Sequence, residues 1–154
     1  MATQKLLLPY HFTQLDQKAL NFVINTFGKL ENIAVTVFNA YTPIPEIETD
    51  AFSVTGKLKG SLGYLSQKIN ENEALLDEVK DKLIEGGFSE DRVNCNFRPR
   101  KKDIASEIID LTTSDKFDII VLNRKHARVT RFFSGSISHK VVMTLKDVTV
   151  CIVS

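Results

Sequence analysis

Near the end of the chain a run of hydrocarbon gives way to a run of cations. Ile119-Ile120-Val121-Leu122 is short and wholly apolar, the pattern of a strand buried on both faces. Asn123, Arg124, Lys125, His126, Arg128 and Arg131 follow it closely. Gly135-Ser136-Ile137-Ser138 then reads as a helix start with a serine N-cap. Strand, basic loop, Gly-Ser and helix start make the layout of an anion site in an open α/β sheet. The backbone N–H groups of Ser136, Ile137 and Ser138 would face the anion, and the helix dipole favours negative charge there. The hydroxyls of Ser136 and Ser138 could donate as well, with charge from Lys125 and from Arg128 or Arg131. The plainer reading is a helix cap after a solvated charged loop. His11, His126 and His139 could meet at the same end of the sheet, but no carboxylate or thiolate accompanies them, so no metal site is assigned. There is no Ser/His/Asp or Cys/His motif, no paired carboxylates near the loop and no HEXXH spacing. No catalytic residue is assigned, and the expectation is a protein that is not an enzyme.

The elements that must position this loop alternate along the chain. The first strand is Lys5 to His11, with an apolar centre at Leu6 to Leu8 and a stop at Pro9. Thr13 caps a helix with Asp16 in its first turn, and Leu15, Ala19, Leu20, Val23, Ile24 and Phe27 form one face. Gly28 ends it. Ile33 to Ala40 is a second strand, apolar on both faces except at Thr36 and Asn39. Residues 41–63, with Pro43 and Pro45, read as a long surface connection. Helical spacing returns at Tyr64, Leu65, Ile69, Leu75, Leu76, Val79, Leu83 and Ile84 and stops at Gly86-Gly87. Val93, Cys95 and Phe97 alternate with polar residues, as on an edge strand. After the basic turn Arg98 to Lys102, Asp103 caps a helix whose inner face is Ile104, Ala105, Ile108, Ile109 and Leu111. Val141, Val142 and Leu145 extend the last helix, and Val148 to Val153 is the fifth strand.

Strand and helix in alternation specify a parallel sheet covered on both faces. Ligands of such sheets bind beyond the carboxyl ends of the strands, where strand order reverses. With the first and fourth strands as central neighbours, His11 comes close to Asn123. At 154 residues, one domain spanning 1–154 is expected. Composition is that of an ordinary globule, 43% hydrophobic and 25% charged. A net charge of +1 gives no global field toward nucleic acid or a membrane, and neither partner is expected. The start of the chain does not read as a signal peptide and no apolar run is long enough for a bilayer. Cys95 and Cys151 stand outside any C-x-x-C spacing and read as reduced, buried small hydrophobes in a cytoplasmic protein.

In register, these pieces resemble the universal stress protein family over nearly the whole chain. The residues that carry the resemblance are Leu8-Pro9-Tyr10-His11, Asp118 to Leu122, Gly135-Ser136-Ile137-Ser138 and Val148 to Val153. The resemblance implies an open five-stranded sheet in the order 3-2-1-4-5 and a stress-related regulatory role. It implies an adenine nucleotide, ATP or AMP, whose base lies against Pro9, Tyr10, Ala40 and Leu122. It also implies a homodimer through the last strand, with Val148, Val150 and Ile152 at the interface. The chain departs from the family's ATP motif of Gly, two residues, Gly, nine residues and Gly-Ser or Gly-Thr. Asn123 takes the first glycine's place, Lys125 or His126 the second's, and the interval before Gly135 is one residue short. His11 stands for the usual aspartate. Glycine lets backbone approach phosphate closely, so the resemblance to a degenerate motif implies weak binding. The alternative is a dimeric interaction module of the same fold, serving protein partners without nucleotide.

Overall fold

A computed structural model describes residues 3–44, 56–124 and 136–154, with 56–59 as backbone only. Five parallel strands, β1 (Gln4–Pro9), β2 (Ile33–Tyr41), β3 (Val93–Pro99), β4 (Ile119–Asn123) and β5 (Thr149–Val153), form one sheet in the order β3-β2-β1-β4-β5. The strand order reverses between β1 and β4, as expected. Helices α1 (Gln14–Phe27), α2 (Gly56–Glu85), α3 (Ile104–Asp115) and α4 (Ile137–Thr144) make the crossovers.

The alternation of side chains along the strands divides the core in two. Leu6, Leu8, Val35, Val37 and Val121 pack with Ala19, Leu20 and Val23 of α1 and Leu76, Val79 and Leu83 of α2. Leu7, Phe38, Ala40, Ile120 and Leu122 pack with Ile108 and Leu111 of α3 and Val141 of α4. β1 is wholly buried from Leu6 to Pro9 because both faces are covered. The ladder runs one residue past Pro9, where the Tyr10 N–H donates to Phe38 O at 2.8 Å.

Several expectations need correction. Residues 56–63, read as part of a connection, are the start of α2. Gly60 and Gly63 lie inside that helix with open space where a Cβ would be, so they do not break it. Tyr64, Leu65 and Leu75, expected on its buried face, are exposed, and burial begins at Leu76. Val142 is exposed, and Leu145 caps α4 rather than continuing it. Cys95 is exposed on the edge strand, not buried; both cysteines are free. A short 3-10 turn, Glu90–Arg92, precedes β3. The Arg92 guanidinium there donates to Leu30 O and Ile33 O, tying the turn to the start of β2.

Gly28 does cap α1, but its φ of −61° is an ordinary helical one. A glycine is needed because a Cβ would stand 2.5 Å from Gly86 O and from Ile24 O. At Gly87, whose φ is +118°, a Cβ would stand 2.6 Å from Gly28 O. The ends of α1 and α2 therefore meet backbone to backbone.

Candidate functional site

The carboxyl end of the sheet is organised by a side chain that local sequence marks only as a cap partner. Thr13 and Asp16 form a capping box at the start of α1. Asp16 is 2% exposed, and its carboxylate does more than close the box. Oδ2 accepts from the His11 N–H at 2.8 Å, the Thr13 N–H at 3.1 Å and the Thr13 hydroxyl at 3.0 Å. Oδ1 accepts from the Asn123 side-chain amide at the end of β4. Four donors satisfy a buried carboxylate, which is what its burial requires. They also join the end of β1, the start of α1 and the end of β4 at the point where strand order reverses. Burial pushes the Tyr10 phenol above its ordinary value, and the Asp16 charge adds to this.

Ser136 caps α4 as expected: its Oγ accepts from the His139 N–H at 3.2 Å and lies 2.9 Å from Ser138 Oγ. The N–H groups of Ile137 and Ser138 belong to the first helical turn, where no intrahelical acceptor exists. On the outer side of α4, Lys140 Nζ reaches both oxygens of Asp103, the cap of α3, and Ser106 Oγ at 2.8 Å. The Ser106 N–H, together with Lys140 and the Ser106 hydroxyl, holds the Asp103 carboxyl down to about 2.

The basic turn after β3 is tied down by a buried acid that periodicity does not reveal. Glu107 is 6% exposed on α3. It accepts from the N–H groups of Lys101 and Lys102 and pairs with Arg98 at 3.1 Å. Burial alone would raise its pKa; these two N–H donors and the Arg98 guanidinium overcome that and hold it below the usual carboxylate range.

Beside the Asp16 cluster lies an open cleft of about 350 Å³. The ends of β1 and β2 contribute His11, Phe12, Asn39, Ala40, Tyr41 and Thr42. Leu65, Lys68, Ile69 and Asn72 of α2 face them, with Arg100 and Ile104 at the start of α3. This volume lies in the range of small-molecule sites. Phe12 enters the cleft from a left-handed backbone, φ 62°, and its ring stands edge-on to Tyr10 at 5.4 Å. A bulky residue at positive φ is strained, and such strain collects at functional loops.

A family model described as the universal stress protein family matches residues 2–151. The chain belongs to that family. No curated protein matches its sequence. A universal stress protein from Lactobacillus plantarum is 13% identical, covering 100% of this chain and 99% of its own, with a TM-score of 0.66. One from Archaeoglobus fulgidus, in complex with dAMP, is 12% identical over 100% of both chains, with a TM-score of 0.63. An Arabidopsis thaliana member with AMP bound is 13% identical, covering 97% of this chain and 90% of its own, with a TM-score of 0.58. At such identities these structures share the fold.

Within this universal stress protein fold, the expected nucleotide residues fall into five groups. His11 and Ala40 line the cleft, and Ser136, Ile137 and Ser138 form the capped start of α4. Pro9, Tyr10 and Leu122, expected beside the base, are buried in the core, Tyr10 at 3% and Leu122 at 4% exposure. The Asn123 amide is turned to Asp16. Lys125, Arg128, Arg131 and Gly135 lie outside the described residues, as do His126 and Phe132-Phe133. Among the described residues, no three His, Cys, Asp or Glu side chains gather as metal ligands. Sequence reasoning missed Phe12, Tyr41 and Lys68, which carry no local signature, and read Arg100 only as part of a basic turn. Asn39 did carry a signature: with Thr36 it is one of two polar residues in a strand otherwise apolar on both faces.

Proposed function

We propose that this universal stress family member is a regulatory protein that binds an adenine nucleotide, ATP or AMP, or a simple phosphate, weakly at the carboxyl end of its sheet. The cleft beside the Asp16 cluster carries the reading: it is open, of nucleoside size, and walled by Phe12, Tyr41, Leu65, Ile69 and Ile104. The capped start of α4 supplies donors suited to a phosphate. Family members solved with dAMP and with AMP support the ligand class. Nucleotide is a signal rather than a substrate in this reading, and incubation with ATP should release no phosphate above background. No helix among the described residues is long and apolar enough to cross a membrane. Two free cysteines on opposite edge strands suit a reducing cytoplasm. Titration calorimetry with ATP and magnesium tests the reading. Dissociation constants above about 10 μM are expected, an affinity worth no more than about 7 kcal/mol. Submicromolar binding would overturn the weakness, and no binding at millimolar nucleotide would overturn the site.

The assembly we propose is a homodimer through β5. This strand is a sheet edge, with Ile152 45% exposed, and the nearby helix α4 adds exposed Val142 and Met143. An unguarded apolar edge invites strand pairing with a second copy, which a two-fold axis satisfies once. A second reading, an interaction module without nucleotide, draws on α2, where Tyr64 is 66% exposed and Leu65 and Leu75 are exposed as well. Retention of a protein partner by a chain that binds no nucleotide would favour it.

A further inference from the structure

The cleft is electropositive as well as apolar. Among the described residues that line it, Lys68 and Arg100 are cations and none is Asp or Glu. The cations on either side of Arg100 are taken up elsewhere: Arg98 pairs with Glu107 at 3.1 Å and Lys102 with Asp110 at 2.8 Å. Arg100 itself is half-buried and has no ion pair among the described residues. Its place is fixed all the same. Its N–H donates to Tyr41 O at 2.8 Å, and Glu107 holds the next two N–H groups of the turn. On the α2 wall, Lys68 has no ion pair among the described residues either. Glu71, one turn further along, accepts from Gln67 at 3.0 Å instead.

Charge of one sign in a cleft with apolar walls focuses the field there and attracts the opposite sign. A neutral purine ring makes no use of that field, and the phosphates of a nucleotide are assigned above to the start of α4. An organic anion uses both the charge and the walls. Phe12, Tyr41, Leu65, Ile69 and Ile104 suit a flat apolar body. A guanidinium suits a planar carboxylate, to which it donates two parallel N–H bonds. We propose that the cleft between β2 and α2 binds a small aryl carboxylate, its ring against the apolar walls and its carboxylate held by Arg100 and Lys68. This goes beyond the nucleotide reading, and the two ligand classes compete for one cleft.

Titration calorimetry on the full chain tests the site with 2-naphthoate and 2-naphthamide, which share a ring system and differ in charge. Naphthoate should bind about tenfold more tightly or better, through charge-assisted contacts that the amide cannot make. Arg100→Gln and Lys68→Gln should each bring naphthoate down toward the amide and leave the amide little changed. Arg100→Gln keeps the backbone bond to Tyr41, and Lys68 is exposed, so both variants should fold. Equal binding of the two probes, or naphthoate binding that both variants leave intact, would overturn the site. Failure of naphthoate where AMP binds would overturn the site and leave the nucleotide reading standing. Charge-selective binding of naphthoate where AMP fails would uphold the site and remove the nucleotide. Failure of both at millimolar concentration would overturn both.

Discussion

Asp16 holds more of this molecule together than any other polar side chain described. Asp16→Ala would leave the N–H groups of His11 and Thr13 and the Asn123 amide without their acceptor. A loss of about 2–3 kcal/mol is expected, from the cost of buried unsatisfied donors, and urea unfolding checks it. Its role was half legible in the sequence. The Thr13 cap with Asp16 in the first turn is local, within four residues, and legible, though not as a capping box; the bond to Asn123 spans 107 positions and no periodicity announces it. Asn39 was visible as an anomaly in an apolar strand, but only the fold shows that one end of its amide donates to Tyr10 O and the other meets no donor among the described residues. Asp103 offers a pH test. Its folded pKa, about 2, lies below its ordinary value of 3.8. The stabilising contribution is thus complete above the ordinary value and is lost as pH falls through about 2. Carboxyl titration by NMR should give a midpoint near 2, and Lys140→Met should raise it.

Among the elements, the strands were readable because four of the five are short, largely apolar runs between helices, while their order came from the family resemblance. The length of α2 was not readable. Pro43 and Pro45 suggested a connection running to residue 63, but the helix begins before Gly60 and Gly63, which an exposed helix accepts at a cost of roughly 1 kcal/mol each. Gly60→Ala and Gly63→Ala should therefore stabilise the protein by about 0.5–1 kcal/mol apiece. Gly28→Ala should do the opposite, by about 1–3 kcal/mol, since its Cβ would collide with backbone that cannot retreat. Thermal unfolding of the three variants separates the two kinds of glycine, which the sequence presents as equals.

At the scale of the whole molecule, the proposed dimer has a more discriminating probe than the strand pattern suggested. Val148 and Val150 pack against the α3 and α4 core, so a charge there would damage the protomer itself. Ile152 is largely exposed. Ile152→Lys should shift sedimentation from dimer to monomer at micromolar concentration with little change in thermal stability; a wild-type monomer would remove the interface. A last consequence belongs to α2. At 30 residues it is about 45 Å long, well beyond the reach of any strand here. Its far end is clamped by Gly86 and Gly87 against Gly28, and Leu76, Val79 and Leu83 bolt the following half to the sheet. Among the described residues, the half that borders the cleft buries less, and its exposed Tyr64 and Leu65 contribute little anchorage. Amide exchange should thus quicken steadily from Leu83 back toward Gly56. Uniform protection along the helix would overturn this gradient.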